Sequence, residues 1–212
     1  MDISVAMTET PSGDSALAAD GRLAYARPMA AADDTELMQR YADGDAGAFE
    51  PLYRRHNDAV FRYLVRLSGN PATAEELAQE AWTKLIDARR RYQASAQFRT
   101  YLFRIAHNAF IDRVRRHRHR EETLLAEPAA DPDKQPERIS DDAALRQRLQ
   151  AALLALPIEQ RDAWLLHEEA GLSIDAVASA TGVNRETAKS RIRYAVRKLK
   201  DRLAAELAPG DL

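Results

Sequence analysis

A long stretch without helix-breaking residues does most to limit the folds open to this chain. Neither glycine nor proline occurs from Ala72 to Leu125, and these two residues are the strongest local breaks in regular structure. Apolar residues recur in this stretch every three or four positions, which is the spacing of one face of an α-helix. The sequence therefore predicts long helices, joined by a short polar turn at residues 93–96, and gives little sign of strands.

The residues before this stretch show the same periodicity. Gly44 and Gly47 interrupt it and predict a turn. Thr73 stands three residues before Glu76, which is the spacing of a capping box, so we expect Thr73 to cap a helix. The apolar stripe consists of Leu37, Tyr41, Phe49, Leu52, Tyr53, Val60, Phe61, Leu64 and Leu67.

Composition divides the chain into segments. Residues 121–142 hold three prolines and eight acids, which is the composition of a solvated tether. Residues 1–32 are rich in small and polar residues without a sustained period, and we expect a disordered N-terminal arm. The prediction is an all-α protein with two small helical domains, 33–120 and 143–207, joined by a flexible acidic linker and followed by a tail at 208–212.

The second domain carries a more specific pattern. Ser173 is placed to cap a short helix, Thr181-Gly182-Val183 predicts a tight turn, and Asn184 is placed to cap the last helix. A helix, a glycine-containing turn and a basic helix form the layout of a helix-turn-helix, whose second helix enters the major groove. An ordinary helical hairpin with a solvated basic face is the alternative. Leucines at 145, 149, 153 and 156 predict an earlier helix that ends at Pro157.

Charge is balanced overall but sorted along the chain. The formal net charge is −2, from 31 basic and 33 acidic residues, and the isoelectric point is about 6.2, which is low for a uniformly basic nucleic-acid-binding surface. However, residues 89–120 hold ten arginines against the single acid Asp112, and residues 185–202 hold eight basic residues against Glu186 and Asp201. Two separate anion-binding faces are therefore expected.

Several classes of protein are not expected from this sequence. The chain has no cysteine, which excludes disulfides, cysteine-ligated metals and thiol catalysis. His117 and His119 lie among arginines, where a metal cation is repelled, and His167-Glu168-Glu169 lacks the second histidine of a metalloprotease motif. No apolar run of 18 residues and no signal peptide is found. We expect a cytoplasmic protein that is not an enzyme, has no cofactor or metal and does not insert into membranes.

Three sequence blocks resemble one protein family. They are NPATAEELAQEAWTKL, FRTYLFRIAHNAFIDRVRR and ALPIEQRDAWLLHEEAGLSIDAVASATGVNRETAKSRIRYAVRKL. Together they resemble bacterial RNA polymerase sigma factors of the extracytoplasmic-function (ECF) class, over about Asp33 to Leu203. The resemblance implies an alternative sigma factor that binds core RNA polymerase, directs it to promoters and helps to open the minus-ten region. It also implies an anti-sigma factor or other regulator as a partner.

The resemblance implies a docking face for polymerase on the helix after Pro71. An apolar stripe rimmed with carboxylates is complementary to a basic helix. Leu77 and Trp82 are alternatively core residues. The residues assigned to core polymerase binding are Glu75, Glu76, Gln79, Glu80 and Trp82.

The family reads the minus-ten element as single-stranded DNA, with a base flipped into a pocket. An aromatic ring stacks any base, and an asparagine can pair with a base edge. Tyr92, Phe98 and Tyr101 are alternatively core aromatics, and Tyr101 stands where the family usually has tryptophan. The pocket positions are Ala88, Tyr92, Gln93, Ala94, Ser95, Ala96, Gln97, Ile105 and Asn108, and the phosphate contacts are Arg99, Arg104, Arg113, Arg115 and Arg116.

The last helix is implied to read the minus-thirty-five element. Its residues lie at spacings of one, three and four, so one face can enter the groove while Ile192, Val196 and Leu199 pack inward. Tyr194 departs from the family, where arginine is common, and is alternatively a phosphate contact or a core residue. The residues assigned to this element are Arg185, Glu186, Lys189, Ser190, Arg193, Tyr194 and Arg197.

Two other functions compete with this one. A helix-turn-helix regulator would bind double-stranded operators by itself, with the first segment as a sensing or dimerising domain. A sigma-like protein that only titrates polymerase or an inhibitor is the other possibility. The first basic block favours a sigma factor, because a sensing domain does not need ten arginines beside an aromatic loop.

Overall fold

Eight α-helices occupy the residues that the computed structural model describes, which are 32–92, 97–123 and 141–207. Two 3₁₀ turns, Ala46–Ala48 and Arg89–Arg91, accompany them. These residues contain no β-strand, so the all-α prediction is confirmed. The expected arm, the turn at 93–96, most of the linker and the tail lie outside the described residues. The helices are α1 (Asp34–Ala42), α2 (Phe49–Ser68), α3 (Pro71–Ala88), α4 (Phe98–Thr123), α5 (Asp141–Leu154), α6 (Ile158–Glu168), α7 (Ile174–Thr181) and α8 (Arg185–Leu207).

Helix α3 begins three residues before the position predicted from its capping-box spacing. Asn70 is the N-cap, and its Oδ1 accepts hydrogen bonds from the backbone N–H groups of Ala72 at 2.9 Å and Thr73 at 3.2 Å. Pro71 follows at the first helical position, where its fixed φ is suitable and its missing N–H costs nothing. The prediction that Thr73 caps the helix is therefore wrong, because Thr73 already lies inside the first turn.

The helix-turn-helix forms as predicted in α7 and α8. Ser173 Oγ accepts from the N–H of Ala176 at 3.2 Å, and Asn184 Oδ1 accepts from the N–H of Thr187 at 2.8 Å. Gly182 follows α7 with φ of 68°, a left-handed conformation that glycine adopts without steric cost. Ser173, Gly182 and Asn184 therefore define where α7 begins, where it ends and where α8 begins.

The core of the first domain lies between α2, α3 and α4. Leu64, Leu85 and Leu102 are fully buried there. The rings of Tyr63 and Phe103 pack edge to face, with centroids 5.4 Å apart, which is a favourable geometry for aromatic pairs. Burial of each such side chain contributes about 1.5–3 kcal/mol.

The second domain differs from its predicted core at two places. Leu145 is 59% exposed, because α5 packs through its C-terminal part, where Leu153 is buried. Helix α8 buries Ala188, Ala195 and Leu199, whereas Ile192 and Val196 are half-buried. The inward stripe of α8 therefore consists of two alanines and Leu199. Its branched residues flank that stripe.

The two domains pack against each other. Helix α6 contacts α2, and α7 contacts α4, so the described residues from Asp33 onward form one compact unit. Sequence periodicity does not predict this docking, because it reports only which face of a helix is buried. Among the described residues no helix is both long enough and apolar enough to cross a membrane.

Candidate nucleic-acid and protein interfaces

A cleft of about 660 Å³ opens between α2 and α3. Trp82 forms its floor and is 5% exposed, and its indole Nε1 donates a 3.1 Å hydrogen bond to Asn57 Oδ1. Phe49 packs edge-on to this indole at 5.8 Å, and Tyr53 lies 5.0 Å from it. Tyr53 is 41% exposed. The cleft thus combines an apolar floor with accessible aromatic edges, as protein-binding sites commonly do.

The residues assigned to polymerase docking fall on two faces of α3. Glu75, Gln79 and Trp82 line the cleft. Glu76 and Glu80 lie on the α4 side instead, as their ion pairs show. The carboxylate of Glu76 accepts from Arg113 Nη1 at 2.6 Å, and those of Glu80 lie 2.8 Å from Lys84 Nζ and 3.8 Å from Arg116 Nη2. The structure therefore brings together three of the five residues in the cleft.

The assigned minus-ten residues are partly brought together on α4. Tyr101, Ile105 and Asn108 follow one another at helical spacing, and Asn108 is exposed. The rings of Tyr92 and Tyr101 pack edge to face at 5.3 Å, and the Arg104 guanidinium lies 5.5 Å above the Tyr101 ring. Burial raises the pKa of Tyr92. Arg104 and Tyr101 thus precede the exposed amide of Asn108 on α4 by about one and two helical turns respectively.

The members of the assigned minus-ten pocket differ in exposure. Tyr92 is buried, Ala88 and Ile105 are half-buried, and Gln97 is exposed. Residues 93–96 lie outside the described part of the chain. Phe98 is 1% exposed, in agreement with a core role.

The five arginines assigned to phosphate contacts differ in availability. Arg104 and Arg115 are exposed, and Arg116 is 64% exposed. Arg113 is held by Glu76. Arg99 lies with its guanidinium 5.9 Å from the Phe103 ring, and its Nε is buried without a hydrogen-bond partner. The charge of these five arginines therefore does not by itself indicate which of them can contact phosphate.

Helix α1 supports the start of α4 through a buried histidine. His56 of α2 is 4% exposed, its Nε2 lies 2.7 Å from Asp34 Oδ2, and its ring packs on Phe98 at 5.3 Å. Burial lowers the pKa of His56, and the Asp34 carboxylate opposes this only in part. Burial also raises the pKa of Asp34, but the hydrogen bond from Arg55 and the neighbouring His56 outweigh burial, and this pKa is lowered overall.

Helix α8 presents an exposed basic face. Lys189, Arg193 and Arg197 are exposed at intervals of four. Tyr194 is 39% exposed, and the guanidiniums of Arg193 and Arg197 each lie 5.3 Å from its ring centre. Cations so placed are attracted to the ring face. Tyr194 is therefore part of the basic face and not of the core.

The other assigned residues of α8 flank this face. Glu186 is exposed and Ser190 is half-buried. Arg185 Nε lies 2.9 Å from Asp175 Oδ1, and Arg185 Nη1 lies 3.6 Å from Glu186 Oε1. Two carboxylates thus partly neutralise Arg185 at the start of the helix.

Comparison with known proteins assigns the two domains to a family. The model of sigma-70 region 2 matches residues 52–120, and the model of sigma-70 region 4 matches residues 146–199. The RNA polymerase sigma factor CarQ of Myxococcus xanthus is 33% identical over 172 residues, which cover 78% of this chain and 95% of CarQ. The ECF RNA polymerase sigma factor SigE of Mycolicibacterium smegmatis is 40% identical over 171 residues, which cover 77% of this chain and 65% of SigE.

The chain belongs to the ECF sigma factors. It is an alternative sigma factor, which directs RNA polymerase to promoters, and the predicted resemblance is confirmed. Two solved structures agree with the fold. The sigma factor RpoE of Bartonella quintana, bound to the anti-sigma factor NepR, matches with a TM-score of 0.59 at 23% identity, over 76% of this chain and 98% of RpoE. CnrH, bound to the cytosolic domain of CnrY, matches with a TM-score of 0.63 at 23% identity, over 81% of this chain and 97% of CnrH.

The apolar periodicity of α2 did not distinguish part of the cleft of this sigma factor from the buried core. Phe49, Tyr53 and Phe61 were placed in an apolar stripe, but they line the cleft together with Asn57. All four recur at intervals of four along α2, which is a different face from the buried one that holds Leu52, Val60 and Leu67. An amide within an aromatic stripe was the available signal, because a buried stripe seldom includes an asparagine.

Proposed function

We propose that this sigma factor docks on core RNA polymerase through the α2–α3 cleft. The observation that supports this is the combination of exposed aromatic edges with acidic and amide groups at one rim. Tyr53 and Phe61 are 41% and 38% exposed, and Glu75 and Gln79 stand opposite them. A helix with apolar and basic residues matches such a surface, where aromatic anchors supply affinity and charge sets register.

The α4 face is the proposed reader of the minus-ten element. Asn108 provides an amide for a base edge, and the Tyr101 ring and Arg104 provide a stacking surface for unpaired bases. The exposed arginines of α4 then hold phosphates, which adds affinity but little sequence information. The Tyr101–Arg104 cation–π pair, on the same helix as exposed Asn108, is the single arrangement that favours strand opening over duplex binding alone.

The α8 face is the proposed reader of the minus-thirty-five element. Lys189, Arg193 and Arg197 project from one side, and long basic side chains at such positions reach guanine edges in the major groove. We accordingly assign core docking and the minus-ten element to residues 33–120, the minus-thirty-five element to residues 143–207, and a connecting role to residues 121–142.

The proposal includes a protein regulator of the anti-sigma type. The RpoE and CnrH structures contain NepR and the cytosolic domain of CnrY respectively, and this sigma factor shares their fold. A regulator that binds between or across the two domains fits a protein whose domains pack together.

Run-off transcription with purified core polymerase on a matched promoter tests the function. We expect initiation that depends on this sigma factor and on both promoter elements. No initiation above that of core polymerase alone, combined with tight binding of the free protein to double-stranded operators, contradicts the proposal. That outcome supports the stand-alone regulator.

A further inference from the structure

An amide interrupts the aromatic stripe that α2 presents to the cleft. The stripe consists of Phe49, Tyr53, Asn57 and Phe61, which all line the cleft. Their spacing of four places them on one side of the helix. Asn57 is half-buried and stands between two exposed rings, Tyr53 at 41% and Phe61 at 38%. A partner that covers both rings therefore also covers the amide.

The indole of Trp82 fixes the orientation of this amide. An indole nitrogen can donate a hydrogen bond but cannot accept one, and Trp82 Nε1 donates to Asn57 Oδ1 at 3.1 Å. Trp82 is 5% exposed. The opposite orientation, with the amide nitrogen toward the indole, would leave a buried donor without an acceptor, which is costly. The groups that Asn57 offers to a partner are therefore the two N–H donors of Nδ2.

These two donors have no acceptor within the described part of the chain. Among residues 32–92, 97–123 and 141–207, no group accepts a hydrogen bond from Asn57 Nδ2. Water can satisfy N–H groups while the cleft is open. Once a partner excludes that water, a donor that stays unpaired loses its hydrogen bonds without compensation. The cleft thus favours a partner that brings an acceptor to this point.

The rim of the cleft favours different chemistry in the rest of the partner. Glu75 is exposed at the cleft, and its carboxylate attracts basic side chains. Backbone carbonyls inside a helix are already bonded to the N–H groups four residues later, so a docked helix must supply its acceptor from a side chain. The matching helix consequently combines basic residues at the rim with one carboxylate or amide oxygen between its apolar anchors.

We propose that Asn57 is a specificity-determining residue of the cleft, which selects a polymerase helix that carries a side-chain hydrogen-bond acceptor opposite the Asn57–Trp82 pair. The inference rests on the proposed function, because that function places core polymerase in the cleft. An apolar residue at this point leaves the Nδ2 donors unpaired, and a basic residue brings a further donor toward them. Loss of the pairing lowers the affinity by a factor of about 5–150, which corresponds to about 1–3 kcal/mol.

Replacement of Asn57 by aspartate separates an acceptor on the partner from a donor. Asn57→Asp keeps an acceptor for the Trp82 indole and puts a carboxylate oxygen in place of the two donors. We expect the affinity for core polymerase to fall at least tenfold, because two acceptors then face each other. A basic residue of the partner at this point would instead bind the carboxylate and raise the affinity.

Replacement by leucine separates an acceptor on the partner from an apolar residue. Asn57→Leu has a similar shape but no donor, so the acceptor of the partner stays unpaired. We expect the affinity to fall at least fivefold. An apolar residue of the partner would instead gain from contact with leucine, and the affinity would rise.

Gln79→Glu is the matched control for the added charge. Gln79 is an exposed amide that also lines the cleft, so this variant makes the same change from amide to carboxylate at the rim. It should raise the affinity, since the rim faces basic residues of the partner. Titration of labelled sigma factor with core polymerase gives the dissociation constants. Circular dichroism and the melting temperature verify that each variant is folded, and if one Asn57 variant does not fold, the other decides.

The outcomes separate this inference from the proposed function. If either folded Asn57 variant binds core polymerase as tightly as the unmodified protein does, the inference is overturned, while a loss of affinity in Tyr53→Ala still supports docking in the cleft. Equal losses in Asn57→Asp and Gln79→Glu also overturn it, because negative charge then explains both. If the unmodified protein does not bind, or Tyr53→Ala binds normally, the proposed docking fails and the inference fails with it.

Discussion

Arg113 Nη1 donates a 2.6 Å hydrogen bond to Glu76 Oε2, so a guanidinium assigned to DNA is bound to a carboxylate assigned to polymerase. Glu76 is 65% exposed and Arg113 is 30% exposed. Exposed ion pairs of this kind are weak, and a phosphate group can displace the carboxylate. We therefore expect the pair to lower the affinity of α4 for DNA.

Glu76→Gln should strengthen binding of single-stranded minus-ten DNA, because it releases Arg113. If Arg113 gains one phosphate contact, the slope of log affinity against log salt should steepen by about 0.7. Fluorescence anisotropy between 50 and 200 mM salt measures this slope. The control is Glu75→Gln, which changes the preceding residue in the sequence, a carboxylate that lines the cleft. Equal salt slopes for the two variants contradict the prediction.

Tyr53→Ala should reduce the affinity for core polymerase by at least tenfold. Tyr53 is a partly exposed aromatic at the cleft, and residues of this type commonly dominate binding energy. Titration of labelled sigma factor with core polymerase measures the loss, and the melting temperature should change little. Tyr194→Ala removes a tyrosine of similar exposure, 39% against 41%, from the second domain. If it weakens core binding as much as Tyr53→Ala does, the cleft is not the docking site.

Asn108→Ala should impair promoter opening while duplex binding is largely kept. Asn108 is exposed on the same helix as the Tyr101–Arg104 cation–π pair, and its amide can pair with an unstacked base. Permanganate reactivity of the minus-ten thymines reports opening, and gel shifts of the polymerase complex on duplex DNA report binding. A premelted promoter should rescue initiation. A variant that loses both activities equally argues against base reading.

Arg193→Ala should change the preference among minus-thirty-five sequences. Loss of a bidentate contact to guanine costs about 1–3 kcal/mol of discrimination, and binding to a panel of single-base variants measures it. Lys189→Ala should behave similarly. Lys200→Ala, an exposed charge later in α8, should instead lower affinity uniformly across the panel. Identical profiles for Arg193→Ala and Lys200→Ala rule out base contact by Arg193.

Stability should fall as the solution is acidified below about pH 6.5. Burial lowers the pKa of His56 in the folded protein, so the unfolded chain binds this proton at a higher pH than the folded chain does. The contribution is complete above the unfolded value of about 6.5 and is lost as the pH falls through the folded value. Urea unfolding should show a slope of at most about 1.4 kcal/mol per pH unit from this group.

His56→Gln removes this titration and should flatten the dependence on pH between 6.5 and 5.5. His117→Gln changes an exposed histidine of α4 and should leave the dependence as it is. The lowered pKa of Asp34 acts in the same direction, but only near and below the ordinary value of 3.8. A slope that persists in His56→Gln would mean that another group titrates.

Local chemistry made much of the fold predictable. Ser173 and Asn184 were recognised as caps because their side-chain oxygens need only neighbouring N–H groups. Asn70 was overlooked because Thr73 and Glu76 offered a competing cap, and the preference of Pro71 for the first helical position decided between them. The helical periodicity and the family resemblance established the class of function, whereas the assignment of individual residues to polymerase or DNA stays a prediction.

Contacts between distant residues were not predictable from periodicity. Tyr63 looks like any other core residue of α2, and the identity of its partner is decided by the tertiary fold. The cleft was not predictable from the sequence for a related reason. An exposed aromatic such as Tyr53 continues the same apolar pattern as buried Leu52. Periodicity identifies apolar faces but does not say whether another helix of the chain, another domain or another protein covers them.

The 99 positions between Tyr63 and Asp162 also matter while the protein is being made. Ribosomes add about 5–20 residues per second, and N-terminal domains generally fold first. Roughly 5–20 s therefore pass between the synthesis of the two residues. During this interval the nascent first domain presents the Tyr63 hydroxyl and His107 Nδ1 without the Asp162 carboxylate, which lies 2.6 Å from the hydroxyl and 2.8 Å from Nδ1 in the finished protein. The contact between the two domains therefore forms only after most of the chain has been made.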